Sequence, residues 1–274
     1  MFFLIIIGIV IILYLLAIMP RLGHRKDREK FMGVYYAHRG LHDNAGDAPE
    51  NSLAAFKKAV KAGYGIEMDV QLTKDRVPVV FHDFTLERVC GKKGKVYDYT
   101  WEELKEFRLF DSDQTIPGFE EVLGVVDGKV PLIIELKVEW MDINVCAVAD
   151  EILRRYKGIY CIESFNPLVL LWYRRHHNDV MRGQLADGFT KSKEFHGILY
   201  VFLQNVMMNG VAKPDFVAYN HKYARNLSRR ICRRLYGNLA VAWTIKSQEE
   251  LERARKQFDL FIFDSFIPDK GSPE

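Results

Sequence analysis

The residues with the clearest chemical potential are two histidines, each placed directly after a short apolar run. His38 and Arg39 follow "VYYA", and His82 and Asp83 follow "VPVVF". Two histidines at one site divide the cleavage of a P–O bond, since one removes the nucleophile's proton and the other protonates the leaving alkoxide. A guanidinium matches the geometry of a phosphate. His38, His82 and Arg39 therefore predict acid/base chemistry on a phosphate ester.

Three acidic residues lie inside otherwise apolar runs, where an unpaired charge is costly. They are Glu67 and Asp69 in "IEMDV" and Glu135 in "LIIEL". A salt bridge with Lys137 or Arg39 is one explanation for any single carboxylate. Three carboxylates on neighbouring strands repel one another, however, and a divalent cation relieves that repulsion better than one lysine. Oxygen ligands without nearby cysteine favour Mg²⁺ or Ca²⁺ over zinc.

The elements that position these residues alternate between short β-rich runs and longer amphipathic stretches. Eight such strands with helices between them favour parallel pairing, and the leading prediction is a (β/α)8 TIM barrel. A doubly wound open sheet is the alternative. The predicted strands cover 34–38, 66–70, 132–136, 159–164, 181–185, 216–219, 239–244 and 260–264. In such a barrel, chemistry collects where the strands end.

One further β-like run, 77–82, interrupts the alternation of strand and helix. It follows the second predicted strand after only six residues, "QLTKDR", too few for the crossover that a parallel partner needs. We therefore expect a β-hairpin inserted after the second strand, with Lys74, Asp75 and Arg76 at its turn. This hairpin would return His82 to the rim that carries Glu67 and Asp69.

The first twenty residues differ from the rest of the chain. Phe2 to Met19 contains no charged residue, and a basic stretch follows Pro20. This composition predicts a transmembrane anchor over 1–20, a basic juxtamembrane linker over 21–32 and a barrel domain over 33–274. The positive-inside rule then places the domain on the cytoplasmic side of a single-pass protein.

Composition excludes several other classes of protein. The 274 residues carry a formal net charge of only +3, spread along the chain, so no nucleic-acid partner is expected. The four cysteines are widely separated, which argues against a disulfide framework and a structural zinc site.

Several segments, in this order, resemble the glycerophosphodiester phosphodiesterase family. They are "AHRG", "PENSLAAF", "IEMDVQLTKD", "VPVVFHD", "LIIELK", "ESF" and "AWTIK". The resemblance implies a TIM barrel that uses a divalent metal to hydrolyse glycerophosphodiesters to an alcohol and glycerol 3-phosphate. It assigns His38 and His82 to the acid/base pair and Arg39 to a phosphate contact.

The resemblance also assigns the remaining residues of the predicted site. Glu67, Asp69 and Glu135 match metal ligands, Glu50 a further ligand or a contact to the glycerol hydroxyls, and Lys137 a phosphate neighbour. Phe165 and Trp243 lie at the same rim, at the ends of predicted strands, and are assigned to substrate binding. The alternatives are a lysophospholipase D, a glycerol-phosphate polymer hydrolase, or a catalytically silent, membrane-tethered barrel that binds phosphodiesters.

Overall fold

Eight parallel strands close into a barrel in the computed structural model, which describes residues 1–23, 26–139, 141–191 and 197–269. The first strand pairs with the second on one side and with the last on the other, so the sheet has no open end. The predicted barrel is therefore confirmed and the open sheet is wrong. The strands are β1 (Tyr35–His38), β2 (Gly65–Leu72), β3 (Pro78–Val80), β4 (Leu132–Leu136), β5 (Tyr160–Ser164), β6 (Arg182–Ala186), β7 (Phe216–Asn220), β8 (Leu239–Ile245) and β9 (Leu260–Phe263).

The ninth strand, β3, is the inserted hairpin. It pairs antiparallel with β2, with Val80 opposite Val70 and Pro78 opposite Leu72. Its turn contains Arg76 in the left-handed conformation, at φ +62. The predicted hairpin is confirmed, and it brings the segment after β3 back to the carboxyl end of β2.

Helices cover the outside of the barrel between the strands. Helix α2, which follows the loop after β1, begins where Ser52 Oγ accepts a hydrogen bond from the Ala55 amide at 3.1 Å, and it ends at Gly63, at φ +70. The α-helices are α1 (Phe2–Ile18), α2 (Leu53–Ala62), α3 (Glu87–Cys90), α4 (Trp101–Leu104), α5 (Phe119–Val126), α6 (Asn144–Leu153), α7 (Pro167–His176), α8 (Ile198–Gln204), α9 (Asn209–Ala212), α10 (Leu227–Tyr236) and α11 (Gln248–Arg255).

The apolar side chains form two main layers. One fills the barrel interior and includes Tyr36, Ile133 and Phe216, while the other packs between the strands and the helices and includes Phe56 and Phe119. All five are at most 1% exposed. Because the interior is filled with side chains, the barrel is not a channel, and in this fold a substrate binds at the rim.

The apolar amino-terminal segment forms α1, but this helix is shorter than predicted. It has 17 residues, whereas a bilayer core of about 30 Å needs about 20. Its carboxyl end packs on the barrel, where Ile18 is buried and Tyr14 Oη lies 2.7 Å from Ser228 Oγ. Among the described residues, no helix is both long and apolar enough to cross a membrane. The transmembrane anchor expected over 1–20 is thus unsupported, and the cytoplasmic location stays a prediction.

Strand β6 has a position that tolerates no side chain. A Cβ added to Gly183 would lie 1.9 Å from Phe216 Cε2, inside the packed barrel interior. We expect Gly183→Ala to lower the free energy of unfolding by about 1–3 kcal/mol, because the ring of Phe216 has to move. Urea unfolding of the purified protein measures this change.

A second glycine provides the matched control. Gly124 lies in α5, and a Cβ added there meets nothing within 4 Å. Gly124→Ala should raise stability, by up to about 1 kcal/mol, because alanine favours the helix. Equal unfolding midpoints for the two variants would contradict the close packing described at Gly183.

Candidate active site

Parallel strand pairing places the predicted acidic residues on neighbouring strands of the barrel. His38 of β1 is in register with Glu67 of β2, and Asp69 of β2 is in register with Glu135 of β4. Glu135 is in turn in register with Glu163 of β5. Side chains in register on neighbouring parallel strands lie side by side, so the rim carries a row of carboxylates next to a histidine.

His38 ends β1 and is oriented by an aspartate from the far end of the chain. Its Nδ1 lies 3.2 Å from Asp264 Oδ2, and its Nε2 lies 4.0 Å from Glu67 Oε2. Burial, together with the charge of Arg39, lowers the pKa of His38 to about 4, although Asp264 acts in the opposite direction. His38 is therefore neutral at pH 7, with Nδ1 on a carboxylate and Nε2 facing the acidic residues.

His82 follows β3 and is oriented in the same way. Its Nδ1 lies 2.6 Å from Asp83 Oδ1. The side-chain nitrogen of Gln71, Nε2, donates hydrogen bonds to the backbone carbonyl oxygens of Phe81 and Asp83, both at 2.8 Å. These bonds fix the segment after β3 against β2. His82 thus also has Nδ1 on a carboxylate, an arrangement that fixes the tautomer of a histidine and leaves Nε2 for chemistry.

The charge of Asp69 couples the two histidines. The proximity of His82 lowers the pKa of Asp69 against the effect of burial, and Asp69 in turn raises the pKa of His38. Both histidines thus interact electrostatically with the same carboxylate.

The acidic cluster consists of Glu67, Asp69 and Glu135, which are all buried. One carboxylate oxygen of each lies within 4.8 Å of the others. Burial, and after it the charges of Asp69 and Glu163, raises the pKa of Glu67 well above its ordinary value. Asp69 Oδ1 is buried without a hydrogen-bond partner. Three crowded carboxylates with an orphaned oxygen fit a hard divalent cation such as Mg²⁺ or Ca²⁺.

A fourth buried carboxylate, Glu163, was not among the predicted site residues. It is 1% exposed, and its Oε2 has no hydrogen-bond partner. Burial, followed by the charges of Glu135 and Asp69, raises its pKa well above the ordinary value. The signal that was available is a glutamate in the apolar run "YCIES", the same signal that identified Glu67 and Glu135.

Two cations offset part of this negative charge. Lys137 Nζ lies 3.3 Å from Glu135 Oε1 and 3.5 Å from Asp69 Oδ1. These carboxylates raise the pKa of Lys137 although its burial acts to lower it. Arg39 Nε lies 3.5 Å from Asp69 Oδ2, and the Arg39 amide donates to Glu67 Oε2 at 3.1 Å. Both cations are positioned to meet an anionic group bound at the cluster.

Glu50, predicted as a further metal ligand, is bound to arginines. Its Oε1 accepts from Arg39 Nη1 and from Arg88 Nη2, both at 2.7 Å, and its Oε2 accepts from Asn44 Nδ2 at 2.8 Å. Although burial raises the pKa of Glu50, Arg88 and Arg39 bring it down to about 2. Metal ligation by Glu50 stays a prediction, and the structure shows it as an anchor for Arg39.

Arg88 is a residue that sequence reasoning missed. It joins Glu50 to Asp83, donating from Nε to Asp83 Oδ2 at 2.6 Å, and so it links the loop after β1 to the histidine after β3. The predicted substrate residues Phe165 and Trp243 lie on the other side, at the top of the barrel interior. Their ring centroids are 5.6 Å apart, and they give the rim an apolar wall.

Removing Arg88 tests this network. Because its side chain is 44% exposed, we expect Arg88→Met to cost only about 1 kcal/mol of folding stability at pH 7. Arg88 helps to hold the pKa of Glu50 at about 2, below its ordinary 4.5. The stability that this ion pair contributes to the wild type is therefore complete above pH 4.5 and is lost as the pH falls through about 2. The free energies of unfolding of the wild type and of Arg88→Met, measured between pH 2.5 and 7, test this pH dependence.

The matched control is Arg155→Met. Arg155 pairs with an exposed partner, Glu120, and should contribute less than about 0.5 kcal/mol at any pH. A stability difference for Arg88→Met that does not depend on pH would show that the ion pair with Glu50 is not its source.

The chain was compared with known families, curated proteins and solved structures. The model of the glycerophosphoryl diester phosphodiesterase family matches residues 38–265. A glycerophosphodiester phosphodiesterase of Bacillus altitudinis is 42% identical over 115 residues, which are 39% of this chain and 46% of that protein. Glycerophosphodiester phosphodiesterase 1 of Homo sapiens is 32% identical over 170 residues, 62% of this chain and 47% of that protein. The matches thus span about half the length of these relatives.

Two solved structures share the fold over most of both chains. A phosphodiesterase of Oleispira antarctica, solved in complex with its product sn-glycerol-3-phosphate, aligns with a TM-score of 0.69 at 23% identity and covers 86% of this chain and 94% of that chain. A glycerophosphodiester phosphodiesterase of Thermotoga maritima aligns with a TM-score of 0.62 at 27% identity, with coverage of 84% and 94%. With the family match over residues 38–265, these findings show that the chain belongs to the glycerophosphoryl diester phosphodiesterase family.

Proposed function

We propose that this protein hydrolyses glycerophosphodiesters to an alcohol and sn-glycerol 3-phosphate. The observation that carries the proposal is a buried acidic cluster with His38 Nε2 4.0 Å from Glu67, together with a second carboxylate-bound histidine, His82, that acts electrostatically on Asp69. Membership of the family and the names of relatives in Bacillus altitudinis and Thermotoga maritima support it. The same arrangement argues against a silent phosphodiester-binding barrel, since binding alone needs no pair of oriented histidines.

The histidines carry the proton transfers in this proposal. His38 is neutral at pH 7, so its Nε2 accepts the proton of the nucleophile, while the Asp264 carboxylate at Nδ1 stabilises the imidazolium that forms. His82, which donates Nδ1–H to Asp83, enters this step as the imidazolium and gives its Nε2 proton to the leaving alkoxide oxygen, which leaves it neutral. The nucleophile is the glycerol 2-hydroxyl, with water opening a cyclic phosphate afterwards, or water itself, and both routes use these two transfers.

The charged residues around the cluster bind and orient the phosphate. Arg39 is held in place by Glu50 and the backbone at φ +56, and Lys137 lies over the opposite edge of the cluster. A Mg²⁺ or Ca²⁺ ion held by Glu67, Asp69 and Glu135 would supply positive charge against the phosphoryl oxygens. Phe165 and Trp243 exclude water from the side that receives the leaving alcohol.

The assay that tests this function follows metal-dependent release of glycerol 3-phosphate. Glycerophosphocholine, glycerophosphoethanolamine, a lysophospholipid and a glycerol-phosphate polymer are offered in turn with Mg²⁺ and with Ca²⁺. We expect release from at least one deacylated diester. We also expect His38→Ala to lower turnover about 10²–10⁴-fold, because the proton acceptor is lost, and Glu67→Ala to lose metal-dependent activity.

His176→Ala is the control variant, because His176 lies exposed on α7, away from the rim. It should keep wild-type activity. No release from any substrate with either ion, or full activity in both His38→Ala and Glu67→Ala, would refute hydrolysis at this site. Release from the lysophospholipid alone, or from the polymer alone, would show that this compound, rather than a deacylated glycerophosphodiester, is the substrate.

A second prediction separates proton transfer from metal binding. His82→Ala should abolish turnover but leave the affinity for Mg²⁺ or Ca²⁺ nearly unchanged, because His82 is assigned to proton transfer. Glu135→Gln should instead weaken metal binding, since it removes one charge of the acidic cluster. Isothermal titration with each ion measures both. A large loss of metal affinity in His82→Ala would show that the roles are misassigned.

A further inference from the structure

A second group of metal-binding side chains lies beside the acidic cluster and differs from it in chemistry. It consists of His38, His42 and Asp264, and one ligand atom of each lies within 4.8 Å of the others. His38 Nδ1 is 3.2 Å from Asp264 Oδ2, and His42 Nε2 is 3.1 Å from Asp264 Oδ1. We call this group the imidazole cluster.

His42 is the unexplained member of the imidazole cluster. Its side chain is only 13% exposed, and its Nε2 lies 3.1 Å from Asp264 Oδ1. Its Nδ1 is buried and has no hydrogen-bond partner within the described part of the chain. A buried polar group without a partner is costly, and such a group in a folded protein requires an explanation. A ligand that accepts its lone pair would satisfy it.

The donor atoms of the imidazole cluster indicate which ligand this is. Two imidazole nitrogens and one carboxylate oxygen form a donor set that zinc and similar transition metals prefer, whereas Mg²⁺ and Ca²⁺ prefer oxygen alone. One ligand atom of each of the three residues lies within 4.8 Å of the others, so the three side chains converge on one place.

The imidazole cluster lies beside a cavity. A cavity of about 630 Å³ lies between the loop after β1 and the chain after β9, and both His42 and Asp264 line it. Glu67, Asp69 and Glu135 do not line this cavity. The imidazole cluster therefore borders a cavity that the acidic cluster does not line.

We propose that His38, His42 and Asp264 bind Zn²⁺ and that this ion inhibits the enzyme. Zinc at Nδ1 of His38 leaves the single imidazole proton on Nε2. That nitrogen then has no lone pair with which to accept the nucleophile's proton. The inhibition rests on the proposed function of His38, while zinc binding itself does not.

The experiment uses the full chain saturated with Mg²⁺ and titrated with Co²⁺, whose visible absorption reports tetrahedral coordination by nitrogen and oxygen. We expect one such site in the wild type, with Zn²⁺ displacing the Co²⁺ signal. His42→Gln should weaken Co²⁺ and Zn²⁺ binding by more than about tenfold, because a directly bound ligand is lost. Asp264→Asn should do the same, and circular dichroism confirms that both variants are folded.

His82→Gln is the matched control, since His82 is a histidine of the same rim that is likewise held by an aspartate. It should bind Co²⁺ as the wild type does. In the activity assay, His42→Gln should need more than about ten times as much Zn²⁺ as the wild type for half-inhibition.

The outcomes separate the two proposals. Unchanged Co²⁺ binding in both His42→Gln and Asp264→Asn, or loss of the signal in His82→Gln instead, would overturn the zinc site. A Co²⁺ signal that depends on His42, in a protein inactive on every diester, supports the zinc site and refutes the proposed hydrolysis. Activity that Zn²⁺ leaves unchanged while the Co²⁺ signal is present would overturn the inhibition.

Discussion

Repulsion among buried carboxylates is the constraint on which the rest of the rim depends. Glu67, Asp69, Glu135 and Glu163 come from three adjacent strands and are each at most 7% exposed. Burial, followed by the charges of the neighbouring carboxylates, raises the pKa values of Glu67 and Glu163 well above the ordinary value. A divalent cation changes this balance, because it favours the ionised forms and so couples metal binding to proton release. The acidic cluster thus could hold either protons or a divalent cation.

Hydrogen bonds to aspartates orient the imidazole rings of His38 and His82. Asp264 and Asp83 hold Nδ1 of the two histidines, and each aspartate comes from a loop that follows its own strand. Arg88 then ties Asp83 to Glu50, which in turn fixes Arg39. A displacement of one loop is therefore transmitted to the histidine on another, since the carboxylates and guanidiniums leave little freedom between them.

The sequence was sufficient for the parts of this structure that depend on periodicity. Strand alternation predicted the barrel and the hairpin, and acidic residues inside apolar runs predicted the acidic cluster, because parallel pairing sets Asp69 opposite Glu135, with Glu67 two residues before Asp69 on the same strand. Contacts between loops carry no such signal. Arg88 and Glu50 are separated by 38 residues, and the left-handed backbone at Arg39 that aligns them is not visible in composition. The apolar amino terminus likewise does not reveal that Ile18 packs on the barrel.

The rim holds several buried polar atoms without hydrogen bonds. They include Asp69 Oδ1, Glu163 Oε2 and Nδ1 of His42, while the barrel interior below them is filled with apolar side chains. Orphaned polar atoms cost folding energy, so they persist where the surrounding structure enforces them and where a ligand can satisfy them. Because they divide into an oxygen-only group and an imidazole group, one rim offers two ions different sites. His38 belongs to the imidazole cluster, and its Nε2 faces Glu67 of the acidic cluster. His38 is therefore the residue that connects the two clusters.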